Sequence, residues 1–247
     1  MTLNDFFKEN NKAVLGLSGG ADSAYLLYAG LKAGAYVLPV YVKTAFQPQF
    51  ELRDAERLTA ELGVRLNVIE LDILSDTTVA ANPADRCYYC KRRIFGALKA
   101  FAENKKIQTL IDGTNASDDL FERPGVRALK ELSVRSPLFE CGITKDEVRR
   151  LSKNAGLFTW DKPAYACLAT RIPENEPITA DLLCRIEGAE SALFSLGYRD
   201  LRVRVFGGAA RLQLKENDLV RAATDRKQIV NSLAPYFDTV LLDLKGR

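Results

Sequence analysis

An apolar run at residues 13–17 leads straight into Ser18-Gly19-Gly20-Ala21-Asp22-Ser23, and residues 21–31 follow with Ala24, Leu27 and Leu31 on one helical face. A strand that turns on two glycines into a helix is a strong local constraint, because it makes a strand–turn–helix unit the start of the fold. The alternation continues. Residues 37–42, 65–71 and 109–111 read as strands, and 50–62 (closed by Gly63), 92–104 and 145–154 read as helices. The last of these is introduced by Thr144 with Glu147 three residues on, a capping-box pattern. This order predicts an α/β fold with a doubly wound parallel sheet. Pro163, Pro173 and Pro177, with Glu174-Asn175-Glu176 between them, break the pattern and read as a linker. A helix at 179–196, strands at 201–206 and 210–214, two short helices and a strand at 239–244 then predict a small α+β domain. The expected organisation is a domain at 1–165, a linker at 166–178 and a small domain at 179–247.

Composition narrows the function. The 247 residues are 47% hydrophobic, enough for a full core, and the net charge of +3 does not suggest a broad nucleic-acid surface. The first residues are too polar for a signal peptide, and no apolar run has the length of a membrane helix. The expectation is a soluble cytoplasmic protein with no membrane and no nucleic-acid partner. Five cysteines and no histidine argue against a disulfide framework and exclude every histidine-based catalyst or metal site. Proton transfer and metal ligation fall to Cys, Asp, Glu, Lys or Tyr.

The loop at 18–23 can cradle phosphate. Its glycines allow close backbone approach, and the following helix presents free N–H groups and a positive dipole end. The Walker lysine and the G-x-G-x-x-G pattern are both absent. As a whole, SGGADS resembles the signature of the PP-loop ATP pyrophosphatases, whose fold is of the adenine nucleotide α-hydrolase type. That resemblance implies cleavage of ATP to AMP and pyrophosphate, with Ser18, Gly19, Gly20, Asp22 and Ser23 at the nucleotide and Asp22 as a Mg²⁺ contact. Asp112-Gly113-Thr114-Asn115 follows the fourth expected strand, on the carboxyl edge where such sheets bind ligands. Gly113 and Thr114 are therefore expected at ATP, and Asp118, with Asp119 and Arg123 beside it, at a second metal ion. Lys43 ends the second strand on the same edge.

Cys87-Tyr88-Tyr89-Cys90 is a C-x-x-C, ambiguous alone among a redox pair, half a zinc site and chance. Cys167, with Lys162 and Arg171 near it in sequence, sits at the break between domains. SGGADS, NPADRCYYCK, DGTNASDD, GITKDEVR, KPAYACLATRIP and VRVRVFGGAARLQL, in that order, resemble the ATP-dependent sulfur transferases that mature the lactate racemase nickel-pincer cofactor. The resemblance covers nearly the whole chain. It implies adenylation of a carboxylate of pyridinium-3,5-dicarboxylate mononucleotide and attack by sulfur to give a thiocarboxylate. Two sulfur sources fit. Cys167 is sacrificed, or Cys87, Cys90 and Cys167 hold a 4Fe–4S cluster carrying an extra sulfide. Cys141 and Cys184 read as small buried hydrophobes.

The substrate's phosphate needs cations. Alternation in Leu201-Arg202-Val203-Arg204-Val205 puts Arg202 and Arg204 on one strand face, with Arg211 on the next strand. Glu190 is a candidate base or orienting carboxylate. The small domain is thus expected to bind substrate and, by the resemblance, to form homo-oligomers. Competing readings are a tRNA thiolase, an ammonia-using synthetase of the same fold, and a non-enzymatic ATP sensor.

Overall fold

The computed structural model describes residues 1–119 and 124–247, which leaves Arg123 outside the described residues. In chain order the elements are α1 (Leu3–Glu9), β1 (Lys12–Gly16), α2 (Ala21–Lys32), β2 (Tyr36–Lys43), α3 (Gln49–Glu61), β3 (Asn67–Glu70), α4 (Thr77–Ala80), α5 (Arg86–Asn104), β4 (Thr109–Ile111), α6 (Pro124–Glu131), α7 (Pro137–Glu140), α8 (Lys145–Asn154), α9 (Ala180–Ser195), β5 (Arg202–Phe206), β6 (Ala209–Gln213), α10 (Leu219–Thr224), α11 (Arg226–Leu233) and β7 (Val240–Leu242). Short 3₁₀ turns occupy Leu168–Arg171 and Glu216–Asp218.

These elements form two compact units. The first comprises Met1–Ile73 and Asp85–Lys162, the second Leu74–Ala84 and Pro163–Arg247. In the first, the strands run in the order β3-β2-β1-β4 and every pairing is parallel. Apolar side chains leave both faces of β1. Ala13 and Leu15 join Leu26, Leu27 and Leu58 on one side, while Val14 joins Val40, Phe95 and Leu98 on the other. Burial on both faces is what a doubly wound parallel sheet requires. The helix α1 has no counterpart in the sequence reading. Thr2 and Asp5 form its capping box, and Phe6 and Phe7 bury against the sheet's helices.

In the second unit β5 and β6 are antiparallel, β6 and β7 parallel. Gly207 (φ 55°) and Gly208 (φ 82°) make the tight β5–β6 turn, where a side chain would be strained. The stretch 166–178, expected as a linker, instead belongs to this unit. Leu168, Ala169, Arg171, Ile172 and Ile178 are buried, so the prolines mark an irregular packed segment. It is tied to residues 74–84. The Asn82 amide donates to Pro173 O (2.7 Å), Asn175 N to Asn82 O (2.9 Å) and Ile178 N to Ala80 O (2.8 Å). Among the described residues no helix is long and apolar enough to cross a membrane.

Candidate active site

The nucleotide loop follows β1 and ends at the N-terminus of α2. Gly19 has φ +74°, and a Cβ there would stand 2.6 Å from Glu51 O, so only glycine fits. Gly20 is the N-cap and supplies no side-chain cap to the first amides of α2, the kind of helix start that suits an anion. The serines tie the loop to itself. Ser18 Oγ and Ser23 Oγ are 3.0 Å apart, Ser18 N donates to Ser23 Oγ (3.2 Å), and Ser23 Oγ donates to Gly20 O (3.3 Å). Lys162 Nζ donates to Gly19 O (2.9 Å) and pairs with Asp54, turning the Gly19 carbonyl toward the protein. Sequence reasoning placed Lys162 beside Cys167. In the structure its ammonium is engaged within the first unit.

A second loop closes over the first. At Gly113 a Cβ would lie 2.9 Å from Ser23 N and 3.3 Å from Asp22 C, so this glycine permits the contact. Asp112 holds the loop by accepting from Thr114 N (3.2 Å), Thr114 Oγ1 (2.6 Å) and Ser136 Oγ (2.7 Å). Asn115 bridges the two expected metal contacts. Its Nδ2 donates to Asp22 Oδ1 (3.3 Å) and its backbone N to Asp118 Oδ2 (3.1 Å). Lys145 Nζ pairs with the other Asp22 oxygen at 2.5 Å. The sequence reading puts Asn115 in the edge segment but not against Asp22, and gives Lys145 no site role, since each lies far along the chain from Asp22. Lys43, at the end of β2, donates to Gln47 O. Glycines where side chains would collide, an uncapped helix start and carboxylates beside it fit a magnesium nucleotide.

The C-x-x-C opens α5, where the sequence reading expected no helix before Arg92. Cys87 is exposed with Arg86 Nη2 3.6 Å from its sulfur, and Cys90 is buried. Cys167, half-buried in the second unit, immediately precedes the 3₁₀ turn at Leu168–Arg171. Its carbonyl accepts from Thr170 N (3.0 Å), Thr170 Oγ1 (2.9 Å) and Arg171 Nη1 (3.3 Å). Among the described residues no group of three or more Cys, Asp or Glu has metal-holding geometry. Cys87 and Cys90 belong to the first unit and Cys167 to the second. Cys184 is exposed and Cys141 only half-buried, against the expectation of buried hydrophobes. Partial burial still raises the Cys141 thiol pKa.

The second unit is organised around Glu190, which is 1% exposed. It accepts from Arg171 Nε (2.8 Å) and Nη2 (3.2 Å), from Val203 N (2.9 Å) and from the Tyr165 hydroxyl. Both of its oxygens are thus engaged by protein donors. Tyr165 lies between the guanidinia of Arg171 (4.5 Å) and Arg202 (4.8 Å). Burial, then the Glu190 charge, push its phenol well above the ordinary range. Burial alone would lower the Arg171 pKa, but Glu190 raises it overall.

The expected arginine trio divides. Arg202 is 4% exposed and donates to Leu201 O (2.7 Å) and Ala164 O (2.6 Å). Burial, with Arg171 and Arg247 nearby, pushes its pKa down to about 10. Strand alternation located this residue correctly but missed that backbone carbonyls consume its donors. Arg204 and Arg211 stand directly opposite each other across β5 and β6. With Arg171, Glu176, Ile172 and Phe206 they line a cavity of about 410 Å³. Burial and the charges of Arg171 and Arg211 lower the Arg204 pKa. Like charges directly opposite on a sheet repel, and an anion between them removes that penalty.

A parallel sheet with a glycine loop and free helix amides at its carboxyl edge, and no Walker lysine, defines a PP-loop enzyme that uses ATP. Residues 12–87 match the family model described as Queuosine biosynthesis protein QueC. An uncharacterized protein of Synechocystis sp. is 36% identical over 99% of this chain and 92% of its own length. The pyridinium-3,5-bisthiocarboxylic acid mononucleotide synthase of Lactiplantibacillus plantarum is 32% identical, over 99% of this chain and 90% of its own. The tRNA-specific 2-thiouridylase of Thermotoga petrophila is 25% identical over 59% of this chain and 52% of its own. The chain belongs to the pyridinium-3,5-bisthiocarboxylic acid mononucleotide synthase family.

Proposed function

We propose that this protein uses ATP and Mg²⁺ to activate a carboxylate of a pyridinium-3,5-dicarboxylate mononucleotide and replaces its oxygen with sulfur. The carboxylate attacks the α-phosphorus of ATP, and pyrophosphate leaves with the bonding electron pair. A sulfur nucleophile adds to the acyl carbon of the adenylate and AMP departs, leaving the thiocarboxylate. The nucleotide is held by Ser18, Gly19, Gly20, Ser23, Gly113 and Thr114, with Lys43 at the rim and Asp22 and Asp118 on magnesium. The substrate phosphate takes Arg204 and Arg211.

One observation carries this reading: Arg204 and Arg211 stand opposite each other and line a cavity, with Asp243 3.7 Å from Arg211 and only the neutral Gln213 and Thr170 O as described partners of Arg204, in a chain that also carries a PP-loop. Likeness to the bisthiocarboxylic acid synthase over 99% of the chain favours a small carboxylate substrate over RNA, since likeness to the thiouridylase stops at 59%.

The sulfur comes from a sulfide on a 4Fe–4S cluster, or from Cys167, whose thioester with the substrate would then release the thiocarboxylate by elimination across its Cβ–S bond, leaving dehydroalanine at 167. Of the two we propose the cluster, held by Cys87, Cys90 and Cys167, and its chemistry when bound would be to carry the transferable sulfide. Support for it is the donor set, three cysteines in a chain without histidine.

The test is incubation with ATP, Mg²⁺ and the dicarboxylate mononucleotide, with mass spectrometry of the products. Expected are AMP, pyrophosphate and a mononucleotide in which sulfur has replaced oxygen. Formation of AMP without sulfur in the product, when sulfide is supplied, would overturn the transfer step.

A further inference from the structure

The SGGADS loop contains no lysine, although the pyrophosphate leaving from it carries several negative charges. A cation must come from elsewhere in the fold. Lys162 is committed to Gly19 O and Asp54, and Lys43 to Gln47 O. Lys145 differs from both. Its described partner is a single carboxylate, Asp22 Oδ2 at 2.5 Å, and Asp22 is the residue best placed to take magnesium.

The mounting of Lys145 suits a moving charge on a fixed base. It is the first residue of α8, and the Thr144–Glu147 capping box fixes its backbone. Its amide donates to Ser117 Oγ (3.0 Å), tying the helix start to the segment that follows Thr114 and Asn115. Beyond that anchor run four methylenes and an ammonium with 28% of the side chain exposed, facing an aspartate whose side chain is 23% exposed. Water reaches both partners, and a divalent ion carries twice the charge of the single ammonium that faces Asp22. A divalent ion on Asp22 therefore displaces it readily, and the freed ammonium remains within reach of the loop.

We propose that Lys145 is a catalytic residue of the ATP half-reaction. It balances Asp22 in the structure described above, yields that carboxylate to magnesium, and then holds the departing pyrophosphate. As the bond between the α-phosphorus and the bridging oxygen breaks, the electron pair moves to pyrophosphate. The Lys145 ammonium keeps its protons and neutralises part of that charge, so no further reactant is needed.

The inference rests on the ATP reading above, and the experiment separates the two. Wild-type protein, Lys145→Gln and Lys145→Arg are compared in ATP–pyrophosphate exchange with the dicarboxylate mononucleotide, and in Mn²⁺ binding without nucleotide followed by electron paramagnetic resonance. Removing a preorganised donor to transition-state charge costs about 10²–10³ in rate. Lys145→Gln should lose exchange by that factor yet bind Mn²⁺ more tightly than wild type, because the competitor for Asp22 is gone. Lys145→Arg should recover part of the exchange. A purely structural lysine would not produce opposite changes in rate and metal affinity. Exchange within threefold of wild type in Lys145→Gln, or weaker Mn²⁺ binding, overturns the proposal. Absence of exchange in the wild type would instead sink the ATP reading.

Discussion

Arg171 and Glu190 meet through two hydrogen bonds, 2.8 and 3.2 Å, with side chains only 0% and 2% exposed. Removing one member of a buried pair leaves an uncompensated charge, at a cost of about 3–5 kcal/mol. Glu190→Ala should therefore lower the unfolding free energy by an amount in that range, read as a fall in the urea midpoint at unchanged m. A catalytic base on this site would give the reverse, lost activity with stability intact.

Arg204 and Arg202 should separate experimentally although they are two residues apart. Arg204→Ala or Arg211→Ala should weaken binding of the mononucleotide about tenfold to a hundredfold, the worth of a charge-assisted hydrogen bond, and leave ATP affinity unchanged. Arg202→Ala should chiefly reduce stability, since its donors serve Leu201 O and Ala164 O. Calorimetric titration with each ligand, beside a thermal melt, decides. Equal loss of both ligands in Arg204→Ala would remove it from the phosphate site.

Two glycine-to-alanine changes should act in opposite directions. Gly113→Ala puts a Cβ 2.9 Å from Ser23 N and should displace the nucleotide loop, seen as lost ATP binding in a folded protein. Gly96 lies within α5, and a Cβ there meets nothing within 4 Å. Gly96→Ala should stabilise by about 0.5–1 kcal/mol through helix propensity, with ATP binding unaltered.

The cysteines are tested as a set. Under the cluster reading, Ala at 87, 90 or 167 abolishes iron content and repeated turnover together. Under the sacrificial reading only Cys167→Ala is inactive, and the spent protein is lighter by one H₂S. Anaerobic iron analysis and intact mass after reaction distinguish them, and dehydroalanine at 167 would end the cluster reading.

Acid should weaken a local tie of the first unit. The hydrogen bond from Arg135 holds the Glu140 carboxyl below its usual range, against partial burial, which raises it. A depressed carboxyl stabilises the fold above its unfolded pKa, about 4.3, and this contribution is lost as pH falls through the folded value. Glu140→Gln should thus flatten the acid limb of urea midpoint against pH and leave the neutral region level.

The elements that announce themselves locally were legible. The Thr144–Glu147 box opens α8 at the expected residue, and Thr109–Ile111 is the strand the sequence predicts. Relations between distant residues were not. The Asp22–Lys145 pair spans 123 positions, and nothing near either residue betrays it. Arg202 misled because strand periodicity assigns a face without revealing whether that face reaches water. The N-terminal helix has no counterpart in the sequence reading although its signals are local, the Thr2–Asp5 box and the i, i+3, i+4 spacing of Leu3, Phe6 and Phe7, because the helix is only two turns long.

Residues 74–84 also have a consequence during synthesis. Asn82 bonds to Pro173, 91 positions later, and Val79 is fully buried in a unit completed only by the C-terminal third of the chain. At about 5–20 residues per second, a ribosome exposes this segment for roughly 5–18 s before its partners emerge. The sheet around β1 can form during that delay, while Val79 waits in solvent. Protection of the nascent chain by a chaperone should matter most in that window, and slowing translation downstream of codon 84 should lower the yield of folded protein.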